Sequence, residues 1–149
     1  MTQEGTSWPR PRAVLVPTDF SAPARRALEV ALAWFSGADV TLLHVLDTDL
    51  VSRIDAHGIA PRSEVLARLR NEAEGALGSL REEFGAEAFE TMVVEGSPFV
   101  EIVKLARDLA VDVIVMGMRS VDRRLGELLT GSTAERVLRA SHCPVIAVP

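Results

Sequence analysis

Cysteine is almost absent from this 149-residue chain: Cys143 is the only one. That excludes an internal disulfide framework and a zinc site built from cysteines. Lysine is as scarce, with Lys104 alone among 16 basic residues. The phosphate-loop signature G-x-x-x-x-G-K-[ST] needs a lysine after a glycine, whereas Lys104 follows Val103 inside a helical pattern, so that class of NTPase is excluded. No two glycines stand as G-x-G, which removes the dinucleotide fingerprint. No apolar run approaches the roughly eighteen residues of a membrane span. The segment 1–12 has no apolar stretch of the signal-peptide type. A basic excess is missing too: 16 Lys+Arg against 21 Asp+Glu leave a net charge of −5. That is the wrong sign for a protein that grips a phosphate backbone. The default expectation is a cytoplasmic protein with neither nucleic acid nor membrane as partner.

What is present is the composition of one globular domain, 48% apolar and 25% charged. A chain of this length buries about two-thirds of its unfolded surface, so its core needs no covalent staples. The Trp8-Pro9-Arg10-Pro11 stretch disfavours helix. Residues 1–12 therefore read as a flexible tail and 13–149 as the domain.

Five short apolar runs read as strands: 13–16, 40–45, 89–94, 113–116 and 145–148. Continuous β-branched runs are the mark of strands covered on both faces. The run 89–94 alternates more, which suits an edge. Helical patterns lie between them. Ser21 caps the first, with Pro23 tolerated in the opening turn, and Gly37 stops it. Its stripe is Ala24, Leu28, Ala31, Leu32 and Phe35. A second helix spans roughly 63–84. Ser97-Pro98 opens a third, with Ile102, Val103, Ala106 and Leu109 as its stripe. A fourth begins near Gly131 and carries Ala134, Val137 and Leu138. This alternation predicts an α/β fold: a single-domain open, mainly parallel five-stranded sheet with helices on both faces.

Two connections are long, 46–61 and 118–130, and both leave carboxyl ends of strands. In open α/β sheets that edge receives ligands. Three features meet there: Pro17-Thr18-Asp19-Phe20-Ser21 after strand one, Met116-Gly117 after strand four, and Gly131-Ser132-Thr133 at the start of the last helix. A helix start offers free N–H groups and partial positive charge to an anion. A carboxylate after strand one can accept from ribose hydroxyls or an adenine amine. Each feature also has a plainer reading. Asp19 could serve only to cap or orient the first helix, Gly117 only to turn the chain, and Gly131-Ser132-Thr133 only to begin a helix. Arg119, Arg123 and Arg124 could steer phosphates, although exposed loop arginines are more often simply solvated.

The segments Val16-Pro17-Thr18-Asp19-Phe20-Ser21, Leu42-Leu43-His44-Val45, Gly96-Ser97-Pro98, Asp112 to Gly117, and Gly131 to Leu138 with Cys143-Pro144-Val145 together resemble the universal stress protein family. The likeness runs from about Ala13 to the end. It implies an adenine nucleotide alpha hydrolase-like fold with sheet order 3-2-1-4-5, and a regulatory role with ATP bound, with or without Mg2+. ATP-binding members carry G-x2-G-x9-G-[ST] after strand four. Gly117 matches the first glycine and Gly131-Ser132 the last pair, both on the phosphates. Thr18 and Asp19 match nucleoside contacts, Val45 a main-chain contact to adenine, and Met116 the pocket lining. A homodimer through the last strand is implied as well.

The second glycine of that motif is Ser120 here, and ten residues rather than nine separate it from Gly131. Serine takes positive φ poorly, so the loop takes another path, for instance through Gly126, or holds phosphate less well. The alternative reading is a dimeric stress module that binds no nucleotide. No general base is aimed at a phosphate and no arginine finger is apparent, so at most slow ATP hydrolysis is expected. Among the remaining residues, His44 reads as a satisfied structural histidine and His57 as a loop residue. Cys143 reads as a buried thiol, and Asp47, Asp49 and Asp55 as a solvated acidic loop without calcium-loop spacing.

Overall fold

Apolar, β-branched runs become strands where helices can cover both faces. The computed structural model describes residues 8–118 and 133–149. Within them β1 (Ala13–Pro17), β2 (Asp39–Asp47), β3 (Glu90–Gly96), β4 (Val113–Gly117) and β5 (Val145–Val148) form one sheet. Its order is β3-β2-β1-β4-β5, as expected, and every neighbouring pair is parallel. The helices are α1 (Ala22–Trp34), α2 (Thr48–Ala56), α3 (Arg62–Phe84), α4 (Pro98–Asp108) and α5 (Thr133–Ala140).

Side chains alternate across a strand, so the sheet divides its residues between two cores. Val14, Val16, Val40, Leu42, Val113 and Val115 face α1 and α3, where they meet Ala27, Leu28, Ala31 and Leu77. Leu15, Leu43, Val45, Ile114 and Met116 face α4 and α5, where they meet Ile102, Ala106, Ala134 and Val137. Both faces are thus covered, the arrangement that continuous apolar strands require.

Helix α1 starts as the sequence suggests: Ser21 accepts a hydrogen bond from the Ala24 N–H and Pro23 sits in the first turn. The connection 46–61 differs from expectation. β2 continues to Asp47, and α2 occupies most of what reads as loop. The cause is local. The Asp47 carboxylate accepts from the N–H groups of Asp49 (3.0 Å) and Leu50 (3.1 Å), satisfying two donors that a helix start leaves open. The supposed acidic loop is therefore a capped helix, with Asp49 in its first turn and Asp55 near its end. Two stripe residues also depart from expectation: Leu109 and Leu138 are exposed. Cys143 is half-buried rather than buried, and Ser141 Oγ accepts its N–H at 3.2 Å.

Candidate functional site

The strand order reverses direction at β1: β2 lies on one side of it and β4 on the other, and the carboxyl ends of β1 and β4 flank the crevice between. Two residues keep those ends apart. Pro17 closes β1 and has no N–H to extend a ladder. The β1–β4 register stops at Leu15↔Ile114, while β4 continues beside β5 to Gly117↔Val148. Gly117 meets α1 instead: a Cβ there would lie 2.5 Å from the Ala24 nitrogen and 2.6 Å from the Pro23 carbonyl carbon. Its backbone φ is not positive. The glycine is needed for close packing of the strand tip on the first turn of α1, a requirement independent of any ligand.

The turn after β1 is fastened at successive positions. The Thr18 N–H donates to the Leu43 carbonyl at 2.8 Å. Thr18 Oγ1 accepts from the Phe20 N–H at 3.0 Å, and Asp19 Oδ1 accepts from the Ser21 N–H at 3.0 Å. Thr18 is buried and Asp19 exposed, directly after the carboxyl end of β1. The capping reading of Asp19 is met in this sense: the carboxylate orders the entry to α1.

Val45 lies one strand over. Along a strand, the peptide groups that face a given neighbour recur at every second residue. Because the Leu43 carbonyl bonds β1 through Thr18, the N–H and C=O of Val45 point to the same side. The register of β1 has ended by then, its last pair being Pro17↔Leu43. Val45 therefore presents a donor and an acceptor into the space above the end of β1. On its other side β2 remains paired with β3 as far as Asp47↔Gly96.

Met116 is buried in the same core as Val45, Ala134 and Val137, on the face of the sheet that α4 and α5 cover. Thr133 begins α5 and is exposed. Pro17, Thr18, Asp19, Val45, Met116 and Gly117 thus lie at the carboxyl edge of the sheet around β1, with Val45 on one side and Met116 and Gly117 on the other. Arg119, Gly131 and Ser132 lie outside the described residues, as do Ser120, Arg123, Arg124 and Gly126.

His44 also belongs to this neighbourhood. Its Nδ1 lies 2.7 Å from the Thr18 carbonyl oxygen, and its ring centroid is 4.6 Å from that of Phe20. A carbonyl only accepts, so Nδ1 carries the proton. The sequence marks His44 as a structural histidine, and it is satisfied as such. What the sequence does not reveal is that its partner is the turn after β1.

A doubly wound α/β sheet with polar groups collected at its switch point defines a class of small-ligand-binding domains. The profile of the universal stress protein family matches residues 11–149, and the chain belongs to that family. It is 33% identical to Universal stress protein MJ0577 of Methanocaldococcus jannaschii, over 91% of this chain and 93% of that one. The solved structure of MJ0577 superposes with a TM-score of 0.74, covering 92% of this chain and 94% of that one. Universal stress protein YxiE of Bacillus subtilis is 34% identical, over 91% and 97% of the two chains. A universal stress protein crystallised in complex with cAMP is 26% identical, with a TM-score of 0.59 and coverage of 95% and 98%.

Proposed function

We propose that this chain is an adenine-nucleotide-binding stress-response regulator that holds ATP, with or without Mg2+, and turns it over slowly if at all. The observation that supports this most is the peptide edge of Val45, a donor and an acceptor side by side above the end of β1. An adenine ring offers the complement, an acceptor at N1 and an amine at N6. Asp19, exposed after the end of β1 beside Pro17 and Thr18, suits ribose hydroxyls, and Met116 is expected to line the pocket. The phosphates then run toward the start of α5, where N–H groups and helix dipole favour anions. Thr133 stands there, and its sequence neighbours Gly131 and Ser132, with Arg119 from the segment after β4, are expected to join it. The cAMP-bound relative supports the same ligand class. Bound ATP supplies charge and an adenine surface that a partner can sense. The chain's own residues orient and hold it.

The test is calorimetric titration of the intact protein with ATP. ATP at a hundredfold excess over its dissociation constant should add about 2.7 kcal/mol of stability. Asp19→Ala should weaken binding about tenfold. Absence of binding, with or without magnesium, would favour the second reading, a dimeric module without nucleotide. One observation leans toward that reading: Gly117 is explained by packing on α1 alone. In either case the chain pairs as a homodimer through β5, the edge strand beyond β4. Sedimentation at micromolar concentration should give a dimer, and a monomer would contradict this.

A further inference from the structure

Phe20 is the least expected backbone conformation near the crevice. Its φ is +63°, the left-handed region that bulky L-residues avoid, and Ala110 is the other non-glycine among the described residues with a positive φ. Such a conformation persists where the surroundings over-determine it. Here two contacts do so. The Phe20 N–H is taken by Thr18 Oγ1 at 3.0 Å, and its ring packs on His44 at 4.6 Å between centroids and on the core beneath α1. The same imidazole donates from Nδ1 to the Thr18 carbonyl at 2.7 Å. One side chain from β2 therefore holds both ends of the turn: the carbonyl that precedes Asp19 and the ring that follows it. Asp19 sits between these two anchored residues, and its Oδ1 accepts from the Ser21 N–H at 3.0 Å.

We infer that His44 is a positioning residue for nucleoside binding: through its hydrogen bond to the Thr18 carbonyl, with the Phe20 ring packed against it, it fixes the turn that carries Asp19. This deepens the nucleotide-binding reading and rests on it. Because the effect passes through Asp19, it acts at the nucleoside end of a ligand. The phosphate end, at α5, is untouched by it.

The two contacts separate by substitution. His44→Phe keeps a ring against Phe20 and removes the donor. His44→Asn keeps a donor at about the position of Nδ1 and removes the ring. Calorimetric titration of the wild type and both variants with ATP, ADP and AMP reads the effect, alongside melting without ligand. His44→Phe should lose about tenfold in affinity by the same factor for all three nucleotides, and His44→Asn should recover most of it. The expected pattern is that this loss does not follow the melting temperatures. A merely structural role would make affinity fall in step with melting for both variants, and that result overturns the inference. Unchanged affinity in His44→Phe, with a wild type that binds, overturns it while leaving nucleotide binding intact. A wild type that binds none of the three removes both. Independently of ligand, nitrogen NMR of the imidazole should find the proton on Nδ1, and finding it on Nε2 alone contradicts the anchor.

Discussion

At the scale of single residues, Gly117 shows how a position can be required for reasons a motif does not state. As a motif residue it belongs to phosphate binding. In the folded chain its hydrogen faces the backbone of Pro23 and Ala24, where a methyl group cannot enter without moving the first turn of α1. Backbone yields less readily than a flexible side chain, so Gly117→Ala should cost about 1–3 kcal/mol of stability, the range for overpacked sites. Urea unfolding checks this, and an unchanged midpoint would contradict it. Asp19 and Thr18 stood out in the sequence because a carboxylate directly after a buried strand lies at a sheet's carboxyl edge, where it can order a helix entry or meet a ligand. The partner of His44 was not legible. It is 26 residues away in sequence, and no local pattern announces a contact made across two strands.

At the scale of elements, strands and helices followed from periodicity, because each apolar run faces a helix on both sides of the sheet and each helix needs one apolar stripe. Helix α2 escaped that logic. Only Val51 of its nine residues is buried, so it offers almost no stripe to detect. It is specified by its cap. Asp47→Ala should therefore cost about 1 kcal/mol and act locally. Hydrogen exchange over residues 48–56 should quicken while the strands keep their protection, and uniform loss of protection would argue that α2 is integral to the core. Two stripe positions depart the other way. Leu109 and Leu138 fit the helical period yet are exposed, at 40% and 49%, so the right spacing alone does not bury an apolar residue.

At the scale of the whole molecule, the two halves of the sheet are tied at their amino edge as well as packed at their centre. Asp112, just before β4, accepts from the N–H groups of Arg12 (2.8 Å) and Ala13 (2.9 Å) at the start of β1. The Asp112 N–H returns a bond to the Ala13 carbonyl at 2.8 Å. The Ala13 N–H, and after it that of Arg12, holds the carboxyl below its ordinary value. A group with a lowered folded-state value contributes fully above the ordinary aspartate range, about 3.9, and loses that contribution as pH falls through the lower folded-state value. Asp112→Asn should thus lower the melting temperature at pH 7 and flatten the decline below pH 4. A decline as steep as in the wild type would show that other carboxylates govern it. The sheet order itself was readable because strand–helix alternation with right-handed crossovers leaves few topologies. The separation of β1 from β4 at the crevice was not. It depends on Pro17 lacking one N–H and on how closely α1 approaches Gly117, both matters of three-dimensional fit.

Nucleotide binding as proposed has an adenine ring read by the peptide edge of Val45 above the end of β1. Backbone amide spectra of the isotopically labelled protein, recorded during titration with AMP, test it most directly. The Val45 amide and those of residues 18–21 should shift together and saturate at one dissociation constant, with β3 and the amino edge of the sheet unmoved. Saturable binding that leaves Val45 unshifted would contradict the claim, as would a titration in which no amide moves.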